Sequence, residues 1–145
     1  MKKRISIILS VVLFTAALIF TIPRSFYIYD IEDIAKIKKS KMGKVTITHG
    51  KSGETIELDE EGKAYIFEKF KDLKFRLSWD QKPRFGNHLR LTIYDKSGKE
   101  ISSISFTLNN RVVEDKAYIM NRAFSYDETT EIEKRFGFPV EEKEQ

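Results

Sequence analysis

His49 and His88 are the only two imidazoles in the chain, and each becomes a general base if the fold brings a carboxylate to it. Neither belongs to an H-E-x-x-H pattern, so a catalytic use needs a carboxylate from elsewhere in the chain. That arrangement is the basis of one functional alternative, a small envelope hydrolase using His49 or His88. The blander alternative makes His49 a structural histidine, since it shares an alternating face with Val45 and Ile47 and precedes the turn glycine Gly50. The chain has no cysteine, which removes a thiolate nucleophile, disulfides, thiolate metal sites and a lipobox anchor. Gly-x-Ser-x-Gly, a phosphate loop and a dinucleotide fingerprint are all missing, and Lys51-Ser52-Gly53 is ordinary turn chemistry. The run Asp59-Glu60-Glu61 suits the positive end of a helix. A glycosidase-type carboxylate pair is defined in space and leaves no sequence spacing. No catalytic residue, metal ligand or cofactor is therefore assigned.

The segment Ser78–His88 concentrates the side chains used in recognition. It holds the only tryptophan, Trp79, with Arg84, Phe85 and His88, between two strongly alternating stretches. Aromatic and arginine side chains dominate binding hot spots, and loops on a rigid scaffold carry function more often than core strands. These four residues are the candidate binding site. The competing reading has Trp79 and Phe85 covering the open end of a sheet while Asp80 pairs with Arg84.

The elements that must position these residues follow from periodicity. Val45–His49 and Glu54–Leu58 alternate around the turn Gly50–Gly53, which makes a hairpin. Asp59 is an N-cap for a helix running to about Asp72, with Ile66, Phe67, Phe70 and Leu73 at helical spacing. Lys74–Trp79 reads as a strand burying Phe75, Leu77 and Trp79, followed by a polar loop, Asp80–Asn87. Leu89–Asp95 and Ile101–Leu108 form a second hairpin, with a phase slip that predicts a bulge near Ser102-Ser103. Arg111–Val113 and Lys116–Met120 are short strands. Thr130 and Glu133 fit a capping box for a last helix, ended by Gly137 and Pro139. Asp33–Lys41 is a further short helix. The expected fold is α+β: an N-terminal transmembrane helix, then an antiparallel sheet of five or six strands with one or two packed helices.

Ile5–Ile22 is an uncharged apolar run of 18 residues, about 27 Å as a helix against a hydrocarbon core of about 30 Å. It follows Lys2-Lys3-Arg4. Arg24, Phe26, Tyr27 and Tyr29 are the residue types found at a membrane–water interface. The run predicts a single-pass anchor with a cytoplasmic amino terminus and an extracytoplasmic domain, the lipid bilayer being its partner. Secretion after signal cleavage is the alternative, and the small residues a signal peptidase needs are poorly placed for it. Domain boundaries follow: 1–24 cap and anchor, 25–44 Lys-rich juxtamembrane linker, 45–138 the α+β domain, and 139–145 an acidic tail.

Charge supports no nucleic-acid partner. Of 26 Lys and Arg residues, Lys2, Lys3, Arg4 and Arg24 flank the apolar run, leaving 22 to face 22 Asp and Glu. A neutral domain gains little from counterion release. In its Lys-rich start, single apolar segment and compact α+β domain, the chain resembles the small, singly anchored extracytoplasmic proteins of unknown function found in Gram-positive bacteria. That architectural resemblance implies a tethered domain that binds or regulates an envelope protein, peptide or wall polymer.

Overall fold

The computed structural model of the chain describes residues 6–17, 27–82, 86–107 and 110–140. Helix α1 is described over residues 6–17, about 18 Å at the α-helical rise. That is short of the roughly 30 Å of a hydrocarbon core, and no helix among the described residues is long and apolar enough to cross a membrane. The expected single-pass anchor is thereby corrected. The bilayer partner and the extracytoplasmic placement rested on it and lose their basis. Ile5, Leu18–Ile22, Arg24 and Phe26 lie outside the described residues. Tyr29 is tied to the domain instead of to an interface: it forms an antiparallel bridge with Phe75, and its ring meets Tyr118 edge-on at 5.5 Å.

The chain is α+β, with four α-helices and one seven-stranded antiparallel sheet among the described residues, where five or six strands were expected. After α2 (Ile31–Ala35) come β1 (Met42–His49), β2 (Thr55–Glu57), α3 (Glu60–Phe70), β3 (Phe75–Leu77), β4 (Asn87–Asp95), β5 (Glu100–Thr107), β6 (Arg111–Val113), β7 (Ala117–Met120) and α4 (Tyr126–Arg135). The spatial order is β2-β1-β4-β5-β6-β7-β3. Helix α3 thus carries the chain from one edge of the sheet to the other. The register slip on β5 falls at Ile101, which Ile93↔Ser102 and Tyr94↔Glu100 pass over. A second irregularity on β1 spans Gly43, where an added Cβ would stand 2.4 Å from the Asp95 carbonyl oxygen.

One face of the sheet and the helices share a single apolar core. Alternation on β1, β4 and β5 buries Val45, Ile47, Leu89, Leu91, Ile93, Ile104 and Phe106 against Ile66, Phe67 and Phe70 of α3 and Ile132 of α4. The stretch 25–44 is more than a linker, since Ile31, Ile34, Ala35 and Met42 belong to that core. The expected helix Asp33–Lys41 is shorter and starts earlier, because Asp30 and Asp33 close a capping box and Lys36 turns left-handed at φ 57°. The opposite face carries hydroxyl pairs such as Thr48–Thr55 at 2.8 Å and Thr92–Ser103 at 3.4 Å, as in antiparallel sheets with one wet face.

The last helix also begins earlier than its Thr130-x-x-Glu133 signature suggested. Ser125 is the N-cap, and Ser125 and Glu128 make the capping box. Glu128 also takes a 2.8 Å ion pair from Arg122. That guanidinium, followed by the Ser125 backbone and hydroxyl, holds the Glu128 carboxyl down to about 2. A depressed carboxyl stabilises the fold above its ordinary value of 4.5, and the contribution is lost as pH falls through about 2. Glu128→Gln keeps the capping acceptor and removes the charge. We expect it to cost about 1 kcal/mol or less at pH 7, because the pair is solvent-screened. Urea midpoints of the two proteins should converge as pH is lowered from 5 towards 2.

Candidate functional site

Strand β3 is an edge strand, and its Arg76 side chain faces the solvent side together with Ile119 of β7, its register partner. Here the outer face stops being hydroxyl-rich. Ile28, Leu77, Ile119 and Trp79 line a groove of about 740 Å³, with Lys74, Arg76 and Asn121 at its margin. Trp79 is 87% exposed, the most exposed large hydrophobic among the described residues, and Ile119 and Ile28 are also exposed. Apolar side chains clustered on an outer face mark contact sites more reliably than the same residues scattered singly.

Trp79 does not extend β3 into the core as its alternation predicted. The strand ends at Leu77 because the chain bends where Arg111 of β6 captures the next turn. This largely buried guanidinium donates to the carbonyl oxygens of Asp80 and Lys82, at 2.5 and 3.0 Å, and lies 3.5 Å from the Asp80 carboxylate. Gln81 adds a second clamp: its amide oxygen accepts from Ala117 N–H at 2.9 Å, and its amide nitrogen donates to the Ala117 carbonyl at 3.1 Å. With 78–82 fastened to β6 and β7, the alternation of β3 is interrupted and Trp79 stays on the outside. Asp80 was expected to pair with Arg84, and the Arg111 contact is the one the structure describes. Arg84 and Phe85 lie outside the described residues.

The two histidines do meet a carboxylate, but in the core. His49 ends β1 on the buried face, and its Nε2 is 3.4 Å from Glu133 Oε1 of α4. His88 Nε2 is 3.3 Å from the same oxygen. Alternation alone would send His88 to the face opposite Leu89. A bulge intervenes, since Asn87 pairs with Thr107 and Leu89 with Phe106, leaving His88 as the extra residue on β4, and bulges re-aim side chains. On His49, Nδ1 accepts from Ser52 N–H at 3.3 Å and lies 2.9 Å from the Ser52 hydroxyl. Nδ1 is thereby engaged by Ser52, and Nε2 is the ring nitrogen beside Glu133.

The carboxylate is delivered by the end of its helix. Phe138 N–H donates to the Glu133 carbonyl at 2.8 Å and Gly137 N–H to that of Lys134 at 3.3 Å, with Gly137 at φ 70°, which is a Schellman closure. It folds Phe138 back over the cluster, where its ring stacks on His49 at 5.3 Å. Glu133 is 2% exposed, and Oε1 has no aligned hydrogen-bond donor among the described residues. Neither of the two principal cavities is lined by His49, His88 or Glu133. Among the described residues, no group of three or more His, Asp or Glu side chains is arranged to hold a metal ion. Glu133 was missed as a partner because its i, i+3 spacing to Thr130 mimics a helix cap.

The second cavity, about 360 Å³, is bordered by Glu57, Asp59, Glu61 and Arg135. Its charges are already engaged: Asp59 caps α3, Glu61 pairs with Arg135 at 2.6 Å, and Glu57 pairs with Lys44 at 2.8 Å. No known protein family, curated protein or solved structure matches the chain.

Proposed function

We propose that the chain is a recognition module that works by holding a segment of another macromolecule in the groove beside β3. The observation that carries this reading is Trp79, 87% exposed yet followed at once by residues that Arg111 and Gln81 clamp to β6 and β7. Exposing an indole forgoes about 1.5–3 kcal/mol of burial, and a fixed, exposed indole is the kind of anchor that binding surfaces use. The hydrolase alternative draws support from the meeting of His49 and His88 with Glu133. Neither of the two principal cavities among the described residues is lined by them, so recognition is the better reading.

Selection of a random-peptide library on the full-length protein tests it. Enriched peptides should bind at least tenfold more weakly to Trp79→Ala and Ile119→Ser, both surface changes that leave the thermal midpoint within about 2 °C, since such positions shift stability by only about 0.5 kcal/mol. Peptides that bind both variants as tightly as the wild type would move the contact surface elsewhere and remove the proposal.

A further inference from the structure

The groove's occupant can be narrowed by its charge, an inference that rests on the recognition reading above. Lys74 and Arg76 stand at i and i+2 along the β3 segment, both exposed and both lining the groove. Side chains two residues apart on a strand lie on the same face, about 6.8 Å apart along the chain. Several cations elsewhere on this domain are neutralised by carboxylates: Lys36 by Glu114 and Asp115, Lys44 by Glu57, Lys69 by Glu131, Arg135 by Glu61. Lys74 and Arg76 enter no ion pair among the described residues. Among the described residues no carboxylate lines the groove, whose remaining walls are Ile28, Leu77, Trp79 and Ile119 with Met120 and Asn121.

Two cations at strand spacing beside an apolar trough, unpaired among the described residues, have a complementary ligand. We infer that the occupant is an extended acidic segment of another polypeptide, whose apolar side chains enter the trough and whose carboxylates, two residues apart, meet Lys74 and Arg76. An extended chain repeats its side chains with the same period as β3, so one strand-like segment satisfies both cations in a single register. The apolar walls favour a polypeptide over an anionic sugar or phosphate polymer, because such polymers need hydrogen-bonding groups that this trough offers sparsely. The Asn121 side-chain oxygen is already taken by the Lys74 backbone N–H at 3.0 Å.

The test uses the full-length protein and three probes. One is a fluorescein-labelled octapeptide alternating Glu and Leu, the second its Lys-for-Glu counterpart, and the third unlabelled poly(glycerol phosphate) as competitor. Binding is followed by anisotropy of the label and by the emission of Trp79, the chain's only indole. The acidic peptide should bind saturably and shift the indole emission to the blue. The basic peptide should bind at least tenfold more weakly. The double reversal Lys74→Glu/Arg76→Glu should invert that preference, and raising salt from 0.05 to 0.5 M should weaken the acidic complex severalfold, as expected of exposed charges.

Equal binding of both peptides, lost on Trp79→Ala, keeps the groove as the recognition site and overturns the acidic occupant. Displacement by poly(glycerol phosphate) at equal charge concentration overturns the polypeptide assignment. Failure of the acidic peptide to bind at millimolar concentration overturns the inference as well. Acidic-peptide binding that is unchanged by both Trp79→Ala and the charge reversal removes the recognition reading itself.

Discussion

Phe70→Ala is expected to lower the unfolding free energy by about 3–5 kcal/mol, the cost of deleting a fully packed aromatic ring. Phe70 closes α3 and is 1% exposed. Its ring lies 4.8 Å from that of Phe106 on β5 and 5.5 Å from that of Phe124, and these two rings are 5.8 Å apart. All three are fastened by elements that cannot follow the missing ring. The strand is held on both sides by its neighbours, and Phe124 sits just before the capping box of α4. The site therefore collapses only in part, and the residual cavity adds to the lost transfer energy. Urea denaturation followed by circular dichroism measures the loss. Phe136→Ala, a half-buried ring near the groove between α3 and α4, serves as the control and should cost clearly less. A loss below about 1.5 kcal/mol at Phe70 would show that the three-ring cluster is not the centre of the core. The change should also reach the groove beside β3, because α3 leads through buried Leu73 into Phe75 of β3.

Glu133→Ala should cost about 1–3 kcal/mol, the range for removing a buried polar group and leaving its neighbours without a counterpart. His49 Nε2 and His88 Nε2 lie 3.4 and 3.3 Å from the same oxygen of this carboxylate. The alanine takes away the polar neighbour of both imidazoles under the Phe138 ring. Glu133→Gln keeps the volume and one accepting oxygen, so it should recover at least half of the loss. If the glutamine variant proves as unstable as the alanine variant, the negative charge and not the acceptor is what the two imidazoles require. If both variants match the wild type, the cluster contributes nothing to holding α4 on the sheet. Near-ultraviolet circular dichroism, sensitive to the packing of Phe136 and Phe138, reports whether the end of α4 stays docked.

Local chemistry made much of this architecture legible. Alternation in Val45–His49 and Leu89–Asp95 marked β1 and β4, because strands with one buried face repeat every two residues. Asp59 was recognisable as the cap of α3, and Gly62 N–H donates to its carboxylate at 2.7 Å. Gly137 was recognisable as the residue after the last helix, since a left-handed position there favours glycine. Two capping patterns compete in the last helix, and Ser125-x-x-Glu128 prevails over Thr130-x-x-Glu133 because Ile132 and Glu133 are needed inside. All seven strand segments were legible, but the expected sheet held five or six because β3, β6 and β7 are only three or four residues long, and pairing rather than periodicity decides whether such short segments join it.

What the residues alone determined about the groove and the histidine cluster is their raw material: one indole beside strand-forming residues, two imidazoles on separate strands, and a neutral domain charge. Where those groups ended up was a tertiary decision. Arg111, distant in sequence, takes the Asp80 and Lys82 carbonyls and turns Trp79 outward. A one-residue bulge against β5 releases His88 from its alternating face, and the Schellman turn of α4 brings Glu133 and Phe138 down on both rings. The apolar amino-terminal run illustrates the same division. Its composition specifies a helix, whereas crossing a bilayer depends on continuous helical length, and the described helix does not reach it. Side-chain chemistry is local, but direction and reach come from backbone pairing between residues far apart in the chain.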